Sequence, residues 1–181
     1  MYDVMLLFDG LSVKSCNLER FGAPRHSILY VTGISGAWKS TLASELSLKT
    51  GAALIHLDWY YGGHVPVRNE FTEFLESNGV SFSKLYKENK LNFSESDKIF
   101  PLLLRYAEDR LLIVEGVQLF DDTIMEDTVQ FLKGEPIVSI AVNSKEAAKR
   151  VTERDGSCES RGSFKRSIKI LRKFERELNM T

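Results

Sequence analysis

Lys39, Ser40 and Thr41 close a short turn, Gly33-Ile-Ser-Gly36-Ala-Trp-Lys39-Ser-Thr41, and that order of residue types points to chemistry on phosphates. Backbone N–H groups of a turn that opens into a helix converge on negative oxygens, and the helix dipole adds positive potential at the same spot. A lysine in that place reaches the outer phosphates of a nucleoside triphosphate, and the hydroxyl beside it, here Ser40, holds Mg2+. The predicted contact set is therefore Gly33, Ser35, Gly36, Ala37, Trp38, Lys39, Ser40 and Thr41. The usual pattern is Gly, four residues, then Gly-Lys-Ser/Thr, and here Trp38 stands where the second glycine belongs. A glycine there leaves the backbone free to approach the phosphates, so an indole has to be aimed elsewhere. Either Trp38 turns outward, against the protein or a nucleotide, or the anion hole is partly closed.

Other candidates lie downstream. Asp58 follows an apolar run that reads as a strand, and a carboxylate at a strand end beside a transferable phosphate can take the proton of an acceptor hydroxyl. It reads alternatively as a helix cap or turn residue. Arg150, Arg154 and Arg161 would close over phosphates and stabilise the charge of the transferring group. The other reading of that set is a solvated helix face with i,i+4 pairs, such as Arg150 with Glu146. His64 and Arg68 sit where an acceptor would bind, although a lone His in a Gly turn is usually just a turn residue, and Trp59, Tyr60 and Tyr61 read equally as a stacking platform or as core.

These residues need elements to position them. The strand ahead of the loop spans about 27 to 32 and the helix after it runs to about Lys49, stopped by Thr50-Gly51. A second strand covers 52 to 57, a third runs from Arg110 to Gly116 through Glu115, and a fourth spans 136 to 142. Between the second and third strands, Glu70 to Ser77, Ser83 to Glu88 and Ile99 to Glu108 read as helical pieces of a substrate-lid insert over 69–108. A helical region covers about 121 to 132, a helix runs from Lys145 to Arg154, and an arginine-rich lid spans 150–162. Ser163 is expected to cap a last helix with Phe164, Ile168, Leu171, Phe174 and Leu178 on one face. Residues 3 to 16 read as a hairpin about Asp9-Gly10, inside an N-terminal extension of 1–26. The predicted fold is α/β, a three-layer parallel sheet with helices on both faces and right-handed crossovers. No fifth core strand follows the arginine-rich loop, so the hairpin is the candidate for the missing edge.

Composition bounds the rest. A chain of 181 residues with 43% hydrophobic and 27% charged residues is read as one soluble domain, 1–181. The net charge of −1 gives no overall pull toward nucleic acid or membrane, although 11 Lys/Arg against 6 Asp/Glu from Ser144 to Thr181 leave a local +5 against −6 elsewhere. Cys16 and Cys158 have no metal or redox spacing and are expected to be free thiols. The N-terminus carries no positive leader and no segment has the length of a membrane span, so the expected location is cytoplasmic.

Over residues 27 to 178 the chain resembles the P-loop small-molecule kinases, most of all the uridine kinase and phosphoribulokinase group. The similarity rests on the Gly33 to Thr41 loop, on Asp58-Trp-Tyr-Tyr61, on Val114-Glu115-Gly116, and on Arg150-x-x-x-Arg154-Asp155 with Arg161-Gly162. That resemblance implies ATP- and Mg2+-dependent phosphoryl transfer to a hydroxyl of a small nucleoside-like or sugar-like molecule. It implies that Glu115 holds Mg2+ through water or binds the substrate; the plain alternative is a strand-end charge in solvent. The chain departs from the group at Trp38, in the longer gap between Arg-Asp and Arg-Gly, and in lacking a terminal strand. A second reading is a non-catalytic or degenerate nucleotide-binding protein acting as switch or scaffold. A third, an ABC-type ATPase fragment, has against it the lack of Leu-Ser-Gly-Gly-Gln and of an Asp-Glu pair after an apolar strand. Nucleic acid is not an expected partner, since the basic tail alternates its charges with a core face.

Overall fold

Ile28–Gly33 and Leu112–Glu115 are buried at every position, and so are the first four residues of Ile137–Ala141. Such runs cannot show alternation, because both faces of a parallel sheet are covered. The computed structural model describes residues 12–22, 27–61, 68–81, 86–87, 90–91, 98–120, 128–156 and 161–181. In chain order it contains β1 (Ser12–Cys16), a 3-10 turn (Leu18–Arg20), β2 (Ile28–Gly33), α1 (Lys39–Thr50), β3 (Ala53–His56), α2 (Asp58–Tyr61) and α3 (Glu70–Ser77). A ribbon of β4 (Tyr86–Lys87) and β5 (Lys90–Leu91) follows, then α4 (Ile99–Tyr106), β6 (Leu112–Glu115) and a second 3-10 turn (Val117–Leu119). The chain ends with α5 (Thr128–Leu132), β7 (Ile137–Ala141), α6 (Ser144–Asp155) and α7 (Arg161–Glu177).

The main sheet has the order β1-β7-β2-β6-β3, with β7, β2, β6 and β3 parallel and β1 antiparallel on β7. The predicted α/β architecture is therefore present, with its missing edge filled by the second arm of the expected hairpin. The first arm and the Asp9-Gly10 turn lie outside the described residues. β6 enters between β2 and β3 although it follows both in sequence, and its register sets Glu115 opposite Val31 on one side and His56 on the other. This insertion is what brings the third strand's carboxylate beside the loop.

Helices cover the sheet because their apolar stripes match it. α1 buries Leu42, Ala43 and Leu46 and stops at Gly51, whose φ of 72° supplies the left-handed cap. α7 buries Phe164, Leu171 and Phe174, with Ile168 partly covered. Glu175 lies on that same face, only 4% exposed, where it accepts a hydrogen bond from Ser139 Oγ at 2.7 Å and pairs with Lys14 Nζ at 3.2 Å. This buried carboxylate ties α7 to β7 and to the edge strand. Ser15 of the edge strand and Thr181 also exchange backbone hydrogen bonds of 2.9 and 3.1 Å, and no further strand follows β7 among the described residues.

Several boundaries differ from the sequence reading. Tyr86–Lys87 is a strand, not part of a helix over 83–88, since so short a window cannot sustain a helix without an apolar face to bury. The third strand begins at Leu112 rather than Arg110, whose guanidinium instead lies 4.2 Å over the Tyr106 ring. The last helix begins at Arg161, so Ser163 sits in its first turn and is not its cap; Gly162 is tolerated there because a first turn demands little propensity. Residues 82–85, 92–97, 121–127 and 157–160, with Cys158, lie outside the described residues. Cys16 is a free, half-buried thiol whose burial pushes its pKa up. Among the described residues no helix is long and apolar enough to cross a membrane.

Tyr30, at 0% exposure, has a phenol without a hydrogen-bond partner among the described residues. A buried unsatisfied hydroxyl is destabilising, so Tyr30→Phe is expected to raise stability by about 1 kcal/mol in a urea titration. Burial also drives this phenol far above its ordinary value of 10.0. The unfolded chain ionises it more readily, so stability present below about pH 10 is lost as pH rises further. The Phe variant should flatten that alkaline limb.

Candidate functional site

The loop between β2 and α1 is shaped by two glycines. Gly33 has φ 148°, and a Cβ there would stand 2.8 Å from Ile140 O of the neighbouring strand. Gly36 has φ 78°, and its Cβ would stand 2.8 Å from Ala147 O and 3.3 Å from Val151 Cγ2, so α6 rests directly on the loop. Ala37 is buried, and its N–H turns back to Ile34 O at 3.2 Å. Trp38 has φ 66°, the left-handed conformation that a glycine adopts freely and any other residue adopts at a cost of about 1 kcal/mol. Its side chain is 52% exposed with the Arg150 guanidinium 5.1 Å above the ring, so the indole is turned outward.

A cleft of about 540 Å³ opens over this loop, lined by Gly36 to Thr41 with Arg150, Val151 and Glu153. Lys39 is only 6% exposed, and no carboxylate among the described residues lies within ion-pair reach. Ser40 Oγ donates to Glu115 Oε1 at 3.1 Å, and His56 Nδ1 lies 2.6 Å from the same oxygen. Glu115 is 1% exposed, and its Oε2 is buried without a partner among the described residues. It is thus no strand-end charge in solvent. Thr32 Oγ1 donates to Gly116 O at 3.0 Å and fixes the chain just past it, while the His56 ring meets Trp59 at 4.5 Å.

Asp58 begins α2 directly after β3, and the Gln118 amide donates to its Oδ1 at 2.7 Å. Gln118 is itself buried, with Oε1 unpartnered among the described residues, and it packs so tightly over Gly116 that a Cβ there would collide with that oxygen and stand 2.8 Å from Leu57 Cβ. Asp58 does not line the cleft. The segment ahead of it is tied to the third strand by Leu57 N–H, which donates to Glu115 O at 2.8 Å.

Of the predicted residues, the structure gathers Gly36, Ala37, Trp38, Lys39, Ser40, Thr41 and Arg150 around one cleft, with Gly33 at its root and Glu115 beneath Ser40. Ser35 lies in the loop between Gly33 and Gly36. Arg150 Nη1 donates to Gly36 O at 3.0 Å while its other amine pairs with Glu146, so the i,i+4 pair and the contact with the loop coexist. The side chains of Arg154, Arg161, Tyr61 and His64 lie outside the described residues. Arg68 is exposed and pairs with Glu73 at 3.4 Å. Tyr60 is core, edge-on to Phe71 at 5.4 Å, and Trp59 is half-buried. His56 and Gln118 were not foreseen. Strand parity places His56 with Asp58 at alternate positions of one run, but its partner Glu115 is 59 residues away and depends on the register of β6.

Among known proteins, the chain matches no family model and no curated protein sequence. Among solved structures it is similar to a gluconokinase from Sinorhizobium meliloti 1021, at 14% sequence identity and a TM-score of 0.45, over 81% of this chain and 74% of that one. So slight a likeness transfers no residue role, substrate or reaction.

Proposed function

We propose that this chain is an ATP- and Mg2+-dependent phosphotransferase that acts on a hydroxyl of a small nucleoside-like or sugar-like molecule, as the P-loop kinases it resembles in sequence do. The observation that carries the proposal is the buried Glu115, hydrogen-bonded to Ser40 at the foot of the loop and holding an unpartnered oxygen. A carboxylate and a hydroxyl side by side are oxygen donors of the kind Mg2+ accepts, and that ion usually needs few protein ligands. The cleft over Gly36 to Thr41, with Lys39 lacking an acidic partner, fits a polyphosphate equally well. When bound, Mg2+ would neutralise phosphate charge, which is the main requirement of phosphoryl transfer.

In this reading Lys39 binds the outer phosphates, Ser40 and Glu115 would hold the metal, and His56 fixes the Glu115 carboxylate. Asp58, oriented by Gln118, accepts the proton of the acceptor hydroxyl. Arg150, Arg154 and Arg161 close over the phosphates, the 69–108 insert covers the acceptor, and the protein works in the cytoplasm. Asp58→Asn should lower turnover at least about tenfold with little change in ATP affinity; an unchanged rate would remove Asp58 from the mechanism.

The degenerate-site reading draws on one feature, the strained Trp38 backbone with Arg150 held by both Gly36 O and Glu146. Trp38→Gly separates the two. It relieves about 1 kcal/mol of left-handed strain and forfeits a stacking contact of about 0.5–1 kcal/mol, so stability should change little. If phosphotransfer appears only in the glycine variant, the native loop is degenerate. The direct test is thermal unfolding with ATP, with and without Mg2+. ATP at about a hundredfold over its dissociation constant should add about 2.7 kcal/mol, or about 5–10 °C, dependent on Mg2+. No shift with any nucleoside triphosphate defeats the proposal.

A further inference from the structure

A second cavity, of about 550 Å³, shares no residue with the loop cleft. It is lined by Lys165, Lys169, Arg172 and Arg176 of α7, with Ile168 and the turn Val142-Asn143-Ser144 that leads from β7 into α6. We propose that this groove is a binding site for a short polyphosphate chain, free or carried on a small molecule, separate from the phosphate loop.

The first reason is the charge pattern. The four cations recur at i, i+4, i+7 and i+11 along one stripe of α7 and are all exposed. Like charges at three- and four-residue spacing oppose a helix unless an anion lies between them. None of the four has an ion-pair partner among the described residues, because the carboxylates of α7 are engaged elsewhere. Glu177 faces Lys173 at 3.7 Å, and Glu175 is drawn inward by Ser139 and Lys14.

The second reason is the absence of competing acceptors in the lining. The described lining contains no carboxylate, and its one side-chain amide oxygen, Asn143 Oδ1, already accepts from Glu146 N–H at 2.9 Å. The side chains left to meet a ligand are cations, the Ser144 hydroxyl and the apolar patch of Val142 and Ile168. The patch does not follow from a basic chain overall, since the net charge is −1.

Size selects the occupant. The volume is that of a small-molecule pocket, and no aromatic ring lines it to stack the bases of a nucleic acid strand. Long Lys and Arg stems let four heads converge on one multiply charged group, and charge-assisted contacts to phosphate are the strong ones. α6 contributes to both cavities, its first residue here and Arg150, Val151 and Glu153 to the loop cleft.

Calorimetry with tripolyphosphate at matched ionic strength, on the Lys39→Ala chain in which the loop is disarmed, tests the proposal. Saturable binding should persist in Lys39→Ala and weaken at least about tenfold when Lys169→Glu and Arg172→Glu are added. ATP without Mg2+ on the same background tells whether the chain is taken free or as an ester; binding of either supports the site. A milder pair, Lys169→Gln with Arg172→Gln, checks that the loss follows charge rather than misfolding, with circular dichroism unchanged. Binding already lost in Lys39→Ala would mean that the loop cleft alone holds phosphate, which overturns this proposal and leaves the catalytic reading intact. Binding untouched by both pairs overturns it too, as would a single-stranded oligonucleotide that binds the groove more tightly than tripolyphosphate.

Discussion

Lys39→Ala is expected to cost about 10³-fold or more in phosphoryl transfer and to erase the ATP-induced thermal shift, while leaving the ligand-free protein at least as stable as before. The loss follows from removing a preorganised charge at the place where negative charge gathers in the transition state. The retained stability follows from the environment of Lys39 in the structure. Its side chain is almost fully enclosed and no described carboxylate answers it, so the folded chain holds a cation at a desolvation cost. An ordinary structural lysine would show the opposite balance, with little effect on turnover and some loss of stability. Measuring turnover and unfolding free energy on the same preparation separates the two, and full activity in the variant would end the kinase assignment.

The second large effect concerns Gly36. Gly36→Ala is expected to destabilise by about 3 kcal/mol, lowering Tm by about 6–12 °C. Its φ of 78° already penalises a side chain, and the new Cβ would stand 2.8 Å from Ala147 O, a backbone atom that cannot swing aside. α6 would have to lift off the loop, carrying Arg150 away from Gly36 O. Gly51→Ala and Gly156→Ala are the controls. Both have left-handed φ values, 72° and 65°, yet a Cβ at either meets nothing within 4 Å. They should lose only about 1 kcal/mol. An equal loss at all three positions would show that the seating of α6 on the loop contributes nothing.

Much of this protein is written locally. The parallel strands declared themselves as continuous apolar runs, and α3 falls where sequence placed it, from Glu70 to Ser77, with the Asn69 side chain capping Thr72 N–H at 2.8 Å. Gly51 stops α1 as expected, and the alternation of Gly, Lys and Ser after a strand marked the loop. These features depend on spacing within one or two turns of chain. Propensity and periodicity report that range directly.

What the sequence could not order was the sheet. Only the tertiary structure decided that β6 inserts between β2 and β3, and with that choice Ser40, His56 and Glu115, far apart in the chain, became one hydrogen-bonded group. The same holds for Gln118 on Asp58, for the outward turn of Trp38 against Arg150, and for Glu175, whose place on an apolar helix face makes sense only with Ser139 and Lys14 opposite it. Strand neighbours are chosen by how helices pack back over the sheet, a global competition among crossovers that no local window contains. The sequence thus determined which segments form strands and helices and marked the Gly33 to Thr41 loop as the candidate site, and long-range packing determined which side chains stand around it.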